Sequence, residues 1–238
     1  GIAKSELKDF AGAVADYTES IKLSPEHDDA YFNRGSAKYK MNDLQGAIAD
    51  YTESIKLGPD HDDTYYNRGI AKYELKDFAG AVADSTAAIK IKPDHADAYF
   101  NRGVAKAQLK DLPGALADYT AAIKLDPNDA RAYYNRGVEK ILLNDFSGAI
   151  TDSTATIKLI PDHADAYYNR GVAKSRLNDF LGAIADYTAA INLGPNLDDA
   201  YEARGSAHTA LRNEKEATDD FRRAMELRLK LSQASAIH

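Results

Sequence analysis

Five asparagines, each preceded by an aromatic residue, recur along this chain at a constant spacing of 34 residues. The pairs are Phe32–Asn33, Tyr66–Asn67, Phe100–Asn101, Tyr134–Asn135 and Tyr168–Asn169. An asparagine amide offers two donors and an acceptor, so it can bond the C=O and N–H groups of a peptide of any sequence. The neighbouring rings add apolar contact area and, in tyrosine, a polar tip. These pairs predict a row of contacts for an extended polypeptide. The alternative is that they only order the surface of the protein.

The other reactive side chains show no catalytic or metal-binding pattern. The recurrent serines and threonines have no histidine and acid placed to activate them, and HExxH, CxxC and glycine-rich phosphate loops are absent. Four histidines recur at one position: His27, His61, His95 and His163. Neighbouring packed helices lie about 10 Å apart, too far for two such histidines to share an ion. We therefore predict surface histidines in turns, no metal, no cofactor and no enzymatic activity.

The elements that position these residues repeat with the same period. Six prolines from Pro25 to Pro195 and six glycines from Gly35 to Gly205 stand 34 residues apart, which indicates a solenoid of stacked units. In the unit 28–61, apolar spacing predicts a first helix near 29–41 and a second near 44–57. Asp43 is predicted to cap the second helix, and Pro59 to prevent its continuation. Each unit is therefore a predicted helix hairpin.

In this unit Tyr31, Gly35, Ala47, Tyr51 and Pro59 resemble the motif of the tetratricopeptide repeat. The resemblance covers nearly the whole chain and is specific, because the repeats stay in register. It implies an all-α fold, an α-solenoid in which helix-turn-helix units stack into a right-handed superhelix. It also implies that the asparagine and aromatic rows line a concave groove where ligand peptides lie.

Three residues depart from the family pattern. Arg34 stands where the family usually has leucine, and Ser85 and Ser153 replace the second-helix aromatic residue, which predicts looser packing around these serines. Gly35 in mid-helix costs about 1 kcal/mol against alanine. We expect it to allow a close crossing of the two helices opposite Ala47.

Charged residues also recur in register. On a helical wheel Arg34 and Lys38 lie on the inward stripe of the first helix. Because an unpaired half-buried charge costs several kcal/mol, we predict that each arginine pairs with an aspartate of its own or a neighbouring unit. The arginines are Arg34, Arg68, Arg102, Arg136, Arg170 and Arg204, and the aspartates Asp16, Asp50, Asp84, Asp118, Asp152, Asp186 and Asp220. The alternative is that the arginines form an exposed row that binds phosphates, which would require a positive surface.

The predicted groove edge is acidic, unlike the carboxylate clamp of lysines and arginines in chaperone-tail-binding members of the family. Its residues are Asp29, Asp63, Asp97, Asp165 and Asp199, interrupted only by Arg131. We therefore expect a neutral or basic guest rather than a C-terminal carboxylate. Side-chain selection is expected from positions that vary, among them Val104 and Val138, in the most apolar stretch of the groove, 104–142.

The repeat motif predicts one array over residues 1–231. It consists of a partial repeat 1–27, full repeats 28–61, 62–95, 96–129, 130–163 and 164–197, and a divergent capping repeat 198–231. In the last repeat Glu214 and Glu216 replace apolar or small residues and the proline is missing, so we expect a longer helix to about Leu231. Residues 232–238 are predicted to be a frayed tail. Gly1 falls inside a repeat, so we expect upstream sequence and a cut surface bearing Ile2, Leu7 and Phe10.

Composition narrows the function further. A hydrophobic content of 44% and a charged content of 28% fit a folded protein without a membrane span. A net charge of −7 and a pI near 5.4 argue against a nucleic-acid partner. The absence of cysteine excludes disulfides and leaves the compartment open, cytoplasmic or periplasmic.

The sequence thus predicts a non-catalytic interaction scaffold that binds an extended peptide or loop of a protein partner. Two alternatives stay open. In the first, the chain is the recruiting arm of a larger enzyme, such as a glycosyltransferase with a helical-repeat region. In the second, it is an assembly element that stacks end to end on another copy.

Overall fold

In the computed structural model of this chain the described residues are 1–235, without the side chains of residues 231, 234 and 235. These residues form fourteen helices and no strand, which confirms the predicted all-α fold. The helices are α1 (Ile2–Glu6), α2 (Phe10–Leu23), α3 (Asp28–Lys40), α4 (Leu44–Leu57), α5 (Asp62–Glu74), α6 (Phe78–Ile91), α7 (Ala96–Gln108), α8 (Leu112–Leu125), α9 (Ala130–Leu142), α10 (Phe146–Leu159), α11 (Ala164–Arg176), α12 (Phe180–Leu193), α13 (Asp198–Ala210) and α14 (Glu214–Ser235).

Consecutive helices pack as hairpins, and local chemistry sets their ends. The carboxylate of Asp43 accepts a hydrogen bond from the backbone N–H of Gly46 at 2.9 Å, which caps α4 as predicted. The same cap begins five other second helices, at Asp9, Asp77, Asp111, Asp145 and Asp179. Asn42, one residue earlier, has a φ of 64°, and this left-handed residue reverses the chain between the helices.

The two helices of a hairpin cross closely at the mid-helix glycine. A Cβ atom on Gly35 would lie 3.0 Å from the ring of Tyr51 and 3.2 Å from the carbonyl oxygen of Ala47, which confirms the predicted close crossing. Where serine replaces the aromatic residue the contact is looser. A Cβ on Gly137 would meet nothing closer than the Cβ of Asp152, at 3.4 Å.

Buried ion pairs connect the helices of each hairpin. Arg34 donates to both carboxylate oxygens of Asp50, from Nε at 2.8 Å and from Nη2 at 2.6 Å, and Lys38 Nζ lies 2.7 Å from the same carboxylate. The remaining nitrogen of Arg34, Nη1, donates to Thr18 of the preceding second helix at 3.2 Å. The arginine–aspartate pair recurs as Arg68–Asp84, Arg102–Asp118, Arg136–Asp152, Arg170–Asp186 and Arg204–Asp220. The predicted pairing is confirmed, and each pair lies within one hairpin.

The chain divides into two compact units, Gly1–Pro127 with α1 to α8 and Asn128–His238 with α9 to α14. Within each unit the second helix of one hairpin packs against the first helix of the next, so each unit is an α-solenoid. First helices also contact each other, α3 with α5 and α5 with α7 in the first unit, α9 with α11 and α11 with α13 in the second. The first helices therefore form the inner layer of each unit. The single array over 1–231 stays a prediction.

The two ends differ from the sequence-based expectation in detail. Helix α14 continues to Ser235, past the predicted end near Leu231, and residues 236–238 of the predicted tail lie outside the described residues. Ile2 and Leu7 are exposed as expected, whereas Phe10 packs against a cluster of Ala13, Tyr17 and Ala37. No described helix combines the length and the apolar character needed to cross a bilayer.

Candidate peptide-binding face

The asparagine and aromatic residues lie on the first helices, one pair on each of α3, α5, α7, α9 and α11. All ten of these side chains are half-buried. Because consecutive first helices touch within a unit, three pairs follow one another on the inner layer of the first unit and two on that of the second. We call these two surfaces the ladder faces.

Most of the ladder amides have unused hydrogen-bonding groups. Within residues 1–235, the side-chain amides of Asn33, Asn67, Asn101 and Asn135 make no hydrogen bond to the protein. Asn169 differs, because its amide hydrogen-bonds to the hydroxyl of Tyr134 across α9 and α11. A half-buried amide without a protein partner is free to bond a ligand, and its donors and acceptor match a peptide backbone.

The aromatic residues of the ladder faces are held in two different ways. Phe32, Phe100 and Tyr168 pack on the second-helix tyrosine of their own hairpin, with ring centroids 5.8 to 5.9 Å apart. Tyr66 and Tyr134 belong to the hairpins with serine at that position. Tyr66 contacts His95 and Tyr134 contacts His163, the histidines that precede the next first helix. In both pairs the ring centroids are 4.8 Å apart.

The hydroxyls of Tyr134 and Tyr168 on the ladder faces stay protonated at neutral pH. Burial raises the pKa of Tyr134, and the nearby carboxylate of Asp165 acts in the same direction, while the hydrogen bond from Asn169 opposes them. Burial likewise raises the pKa of Tyr168, with Asp199 and Glu202 adding to the shift. Both phenols can therefore donate a hydrogen bond to a carbonyl oxygen of a ligand.

Two cavities adjoin Asn33, the first asparagine of the ladder faces. Asn33 lines a cavity of about 350 Å³ together with Ile2, Phe10, Tyr17 and Ser36. It also lines a second cavity, of about 500 Å³, together with Ser20 and Ala30. These cavities combine apolar walls with an amide and a hydroxyl, which is the usual chemistry of a peptide pocket.

Carboxylates lie on the same helices as the ladder residues. A cavity of about 150 Å³ is lined by Asp29, Asp62, Asp63 and the ring of Phe32, a combination that suits a cationic side chain. Arg131, the predicted interruption, makes a bidentate pair with Asp129 at 2.9 and 3.0 Å, which offsets its charge.

The remaining predicted residues lie on the same helices. Asp97 is half-buried in the first turn of α7. Val104 lies on α7 in the first unit and Val138 on α9 in the second, each half-buried.

The prediction of surface histidines is wrong for His95. Its side chain is only 12% exposed, because the turn folds back against the preceding first helix, where His95 Nε2 lies 3.7 Å from an oxygen of Asp62. Asp63 lies 3.9 Å from the same nitrogen, so these three residues offer ligand atoms to a cation. Lys92 Nζ is 3.9 Å from Asp62, however, and both aspartates begin a helix, where the dipole disfavours a cation. We assign no metal to this group.

Comparisons with known proteins agree with this architecture. Family models described as tetratricopeptide repeat match residues 66–130, 111–153 and 164–197, and one described as TPR repeat matches residues 35–76. A comparison with curated proteins finds no significant match.

Solved structures share the fold at low sequence identity. MamA is 25% identical with a TM-score of 0.67, over 69% of this chain and 96% of that protein. YrrB, described as a TPR protein with an unusual peptide-binding site, is 23% identical with a TM-score of 0.72, over 79% of this chain and 97% of that one. A tetratricopeptide repeat protein from Parabacteroides merdae ATCC 43184 is 18% identical with a TM-score of 0.68, over 95% and 90%. These likenesses concern the fold.

Proposed function

Because this chain belongs to the tetratricopeptide repeat family, whose fold supports protein–protein interaction, we propose that it binds an extended peptide or loop along its ladder faces. The binding is non-catalytic. The asparagine amides bond the ligand backbone, and the adjacent aromatic rings contact its side chains.

The observation that carries this proposal is the state of the ladder amides. Four half-buried asparagines, three on first helices of the first unit and one on α9 of the second, make no hydrogen bond to the protein within residues 1–235. An amide that orders the fold does so through hydrogen bonds to neighbouring backbone or side-chain groups, and these four make none. An extended peptide supplies the missing partners, since its C=O and N–H groups alternate along its length.

The charge of the ladder faces indicates which peptide fits. The acidic cavity beside Phe32 and the net charge of −7 favour a ligand with lysine or arginine. An acidic ligand would meet like charges at the groove edge. The proposed partner is therefore a neutral or basic segment of another protein.

The test is a peptide-array screen followed by affinity measurements with the double variant Asn101→Ala/Asn135→Ala. Each hydrogen bond to a ligand contributes about 1 kcal/mol, so losing two or more weakens binding by at least about tenfold. Asn192→Ala is the matched control, because Asn192 is exposed on the second helix α12. An unchanged dissociation constant in the double variant removes the ladder from the mechanism.

A further inference from the structure

In the interior of the second unit, each second helix is covered by the first helix of the next hairpin. Tyr187 and Ile191 of α12 are 2% and 6% exposed at the junction with α13. Ala207 of α13 belongs to the same buried cluster as Tyr187 and Ala183. A small residue on one helix thus fits against a ring on the other.

The last helix presents the same surface without a cover among the described residues. Phe221 and Met225 of α14 occupy the repeat positions of Tyr187 and Ile191, yet they are 40% and 65% exposed. Together with Ala224, Leu229 and Glu202 they line an open groove of about 420 Å³, which we call the terminal groove. Its apolar floor has the register of a helix–helix junction.

Polar contacts join α13 and α14, the two helices whose residues line the terminal groove. Arg228 of α14 donates to Asp198 at 2.7 Å and to Asp199 at 3.2 Å, and it also pairs with Glu202. These contacts tie α14 to α13 beyond the length of an ordinary second helix. The groove is therefore present before any ligand arrives.

One residue difference between α12 and α14 determines which helices fit the terminal groove. At the junction of α12 and α13, Arg204 Nη1 donates to Thr188 at 3.0 Å. On α14 the position of Thr188 is taken by Arg222, whose pair with Asp219 is exposed to solvent. A helix carrying arginine at the position of Arg204 would place two like charges together, which disfavours another copy of this repeat. A carboxylate at that position would instead pair with Arg222.

We propose that the terminal groove binds an amphipathic α-helix of a partner protein. The bound helix has an acidic residue opposite Arg222 and, three positions later, a small residue against Phe221, the spacing at which Arg204 and Ala207 act on α12. The asparagines and aromatic residues of the ladder faces do not line this groove, so the inference goes beyond the proposed function.

The probes are two synthetic 18-residue amphipathic helices with an alanine contact stripe, one with glutamate at the position facing Arg222 and one with lysine there. Titration of the full chain, followed by fluorescence anisotropy, is expected to show binding of the glutamate peptide and at least about tenfold weaker binding of the lysine peptide. Arg222→Thr is expected to bring the two affinities together, and Met225→Glu to weaken the glutamate peptide by about tenfold or more.

Controls separate this surface from others. Leu181→Glu alters another exposed apolar residue, on α12, and is expected to leave binding unchanged. The double variant Asn101→Ala/Asn135→Ala is also expected to bind the helical peptide normally, so the two proposals can fail independently.

Three results would overturn the inference. They are absence of glutamate-peptide binding at millimolar concentration, binding unaffected by Met225→Glu, and a concentration-dependent mass in sedimentation that Met225→Glu abolishes. The last result would assign the terminal groove to a second copy of this chain.

Discussion

Replacing the mid-helix glycine by alanine is expected to have opposite effects in two neighbouring hairpins. Gly137 of α9 and Gly171 of α11 occupy the same repeat position in the second unit. A Cβ on Gly171 would lie 2.7 Å from the ring of Tyr187, which is buried and wedged between the helices. A Cβ on Gly137 would approach the Cβ of Asp152 to only 3.4 Å, because Ser153 replaces the ring.

The magnitudes follow from two opposing terms. Alanine is about 1 kcal/mol more favourable than glycine inside a helix, and at Gly137 this gain is not offset, so Gly137→Ala is expected to stabilise by about 1 kcal/mol. At Gly171 the added carbon displaces a rigid ring, and overpacking costs about 1–3 kcal/mol. Gly171→Ala is therefore expected to be neutral or destabilising by up to about 2 kcal/mol.

Urea unfolding followed by circular dichroism measures the difference in the free energy of unfolding between the two variants. It appears as a shift in the urea midpoint while the dependence of the free energy on urea concentration stays constant. The double variant Gly171→Ala/Tyr187→Ser reproduces the residues of the α9 hairpin and is expected to remove the strain of the alanine. If Gly171→Ala stabilises the protein as much as Gly137→Ala does, the ring is not wedged against α11 and the reasoning is refuted.

Two further predictions concern buried charge and buried phenols. Arg102→Met is expected to lower the free energy of unfolding by about 3 kcal/mol, because it leaves the buried Asp118 with Lys106 as its remaining cation in this hairpin. Chemical denaturation measures this loss, and a value below about 1 kcal/mol would contradict a buried pair. Burial raises the pKa of the Tyr187 hydroxyl, so its contribution to stability is complete below pH about 10 and is lost as the pH rises further. Tyr187→Phe should flatten that alkaline loss of stability, and an unchanged pH profile would argue against it.

The sequence predicted what depends on spacing inside one hairpin. The observed bounds of α3 and α4 lie within about one residue of the predicted ones, and Asp43 caps as expected. The pairing of Arg34 with Asp50 was also predictable, since each lies beside the crossing point marked by Gly35 and Ala47. Such contacts follow from helical periodicity once the turn length is known.

Contacts between hairpins were not predictable in the same way, because they depend on the rotation from one hairpin to the next. The hydrogen bond from Arg34 to Thr18 is one example, although threonine recurs in register at the receiving position and was an available signal. The approach of His95 to Asp62 is another. The same limit applies to the candidate site, where spacing alone does not reveal that Asn169 is bonded to Tyr134 while Asn101 is not.

Serine in place of the second-helix aromatic residue changes the ladder faces as well as the core. Ser85 and Ser153 stand 68 residues apart, so each serine hairpin lies between two tyrosine hairpins along the chain. With no ring beneath it, Tyr66 leans across the junction onto His95, at 4.8 Å, instead of resting on its own second helix. A ring held by the next hairpin is sensitive to the geometry of that junction, whereas Phe32, which rests on Tyr51 of its own hairpin, is not. Substituting His95 should therefore change the position of the Tyr66 ring on the ladder face and leave the position of the Phe32 ring unchanged.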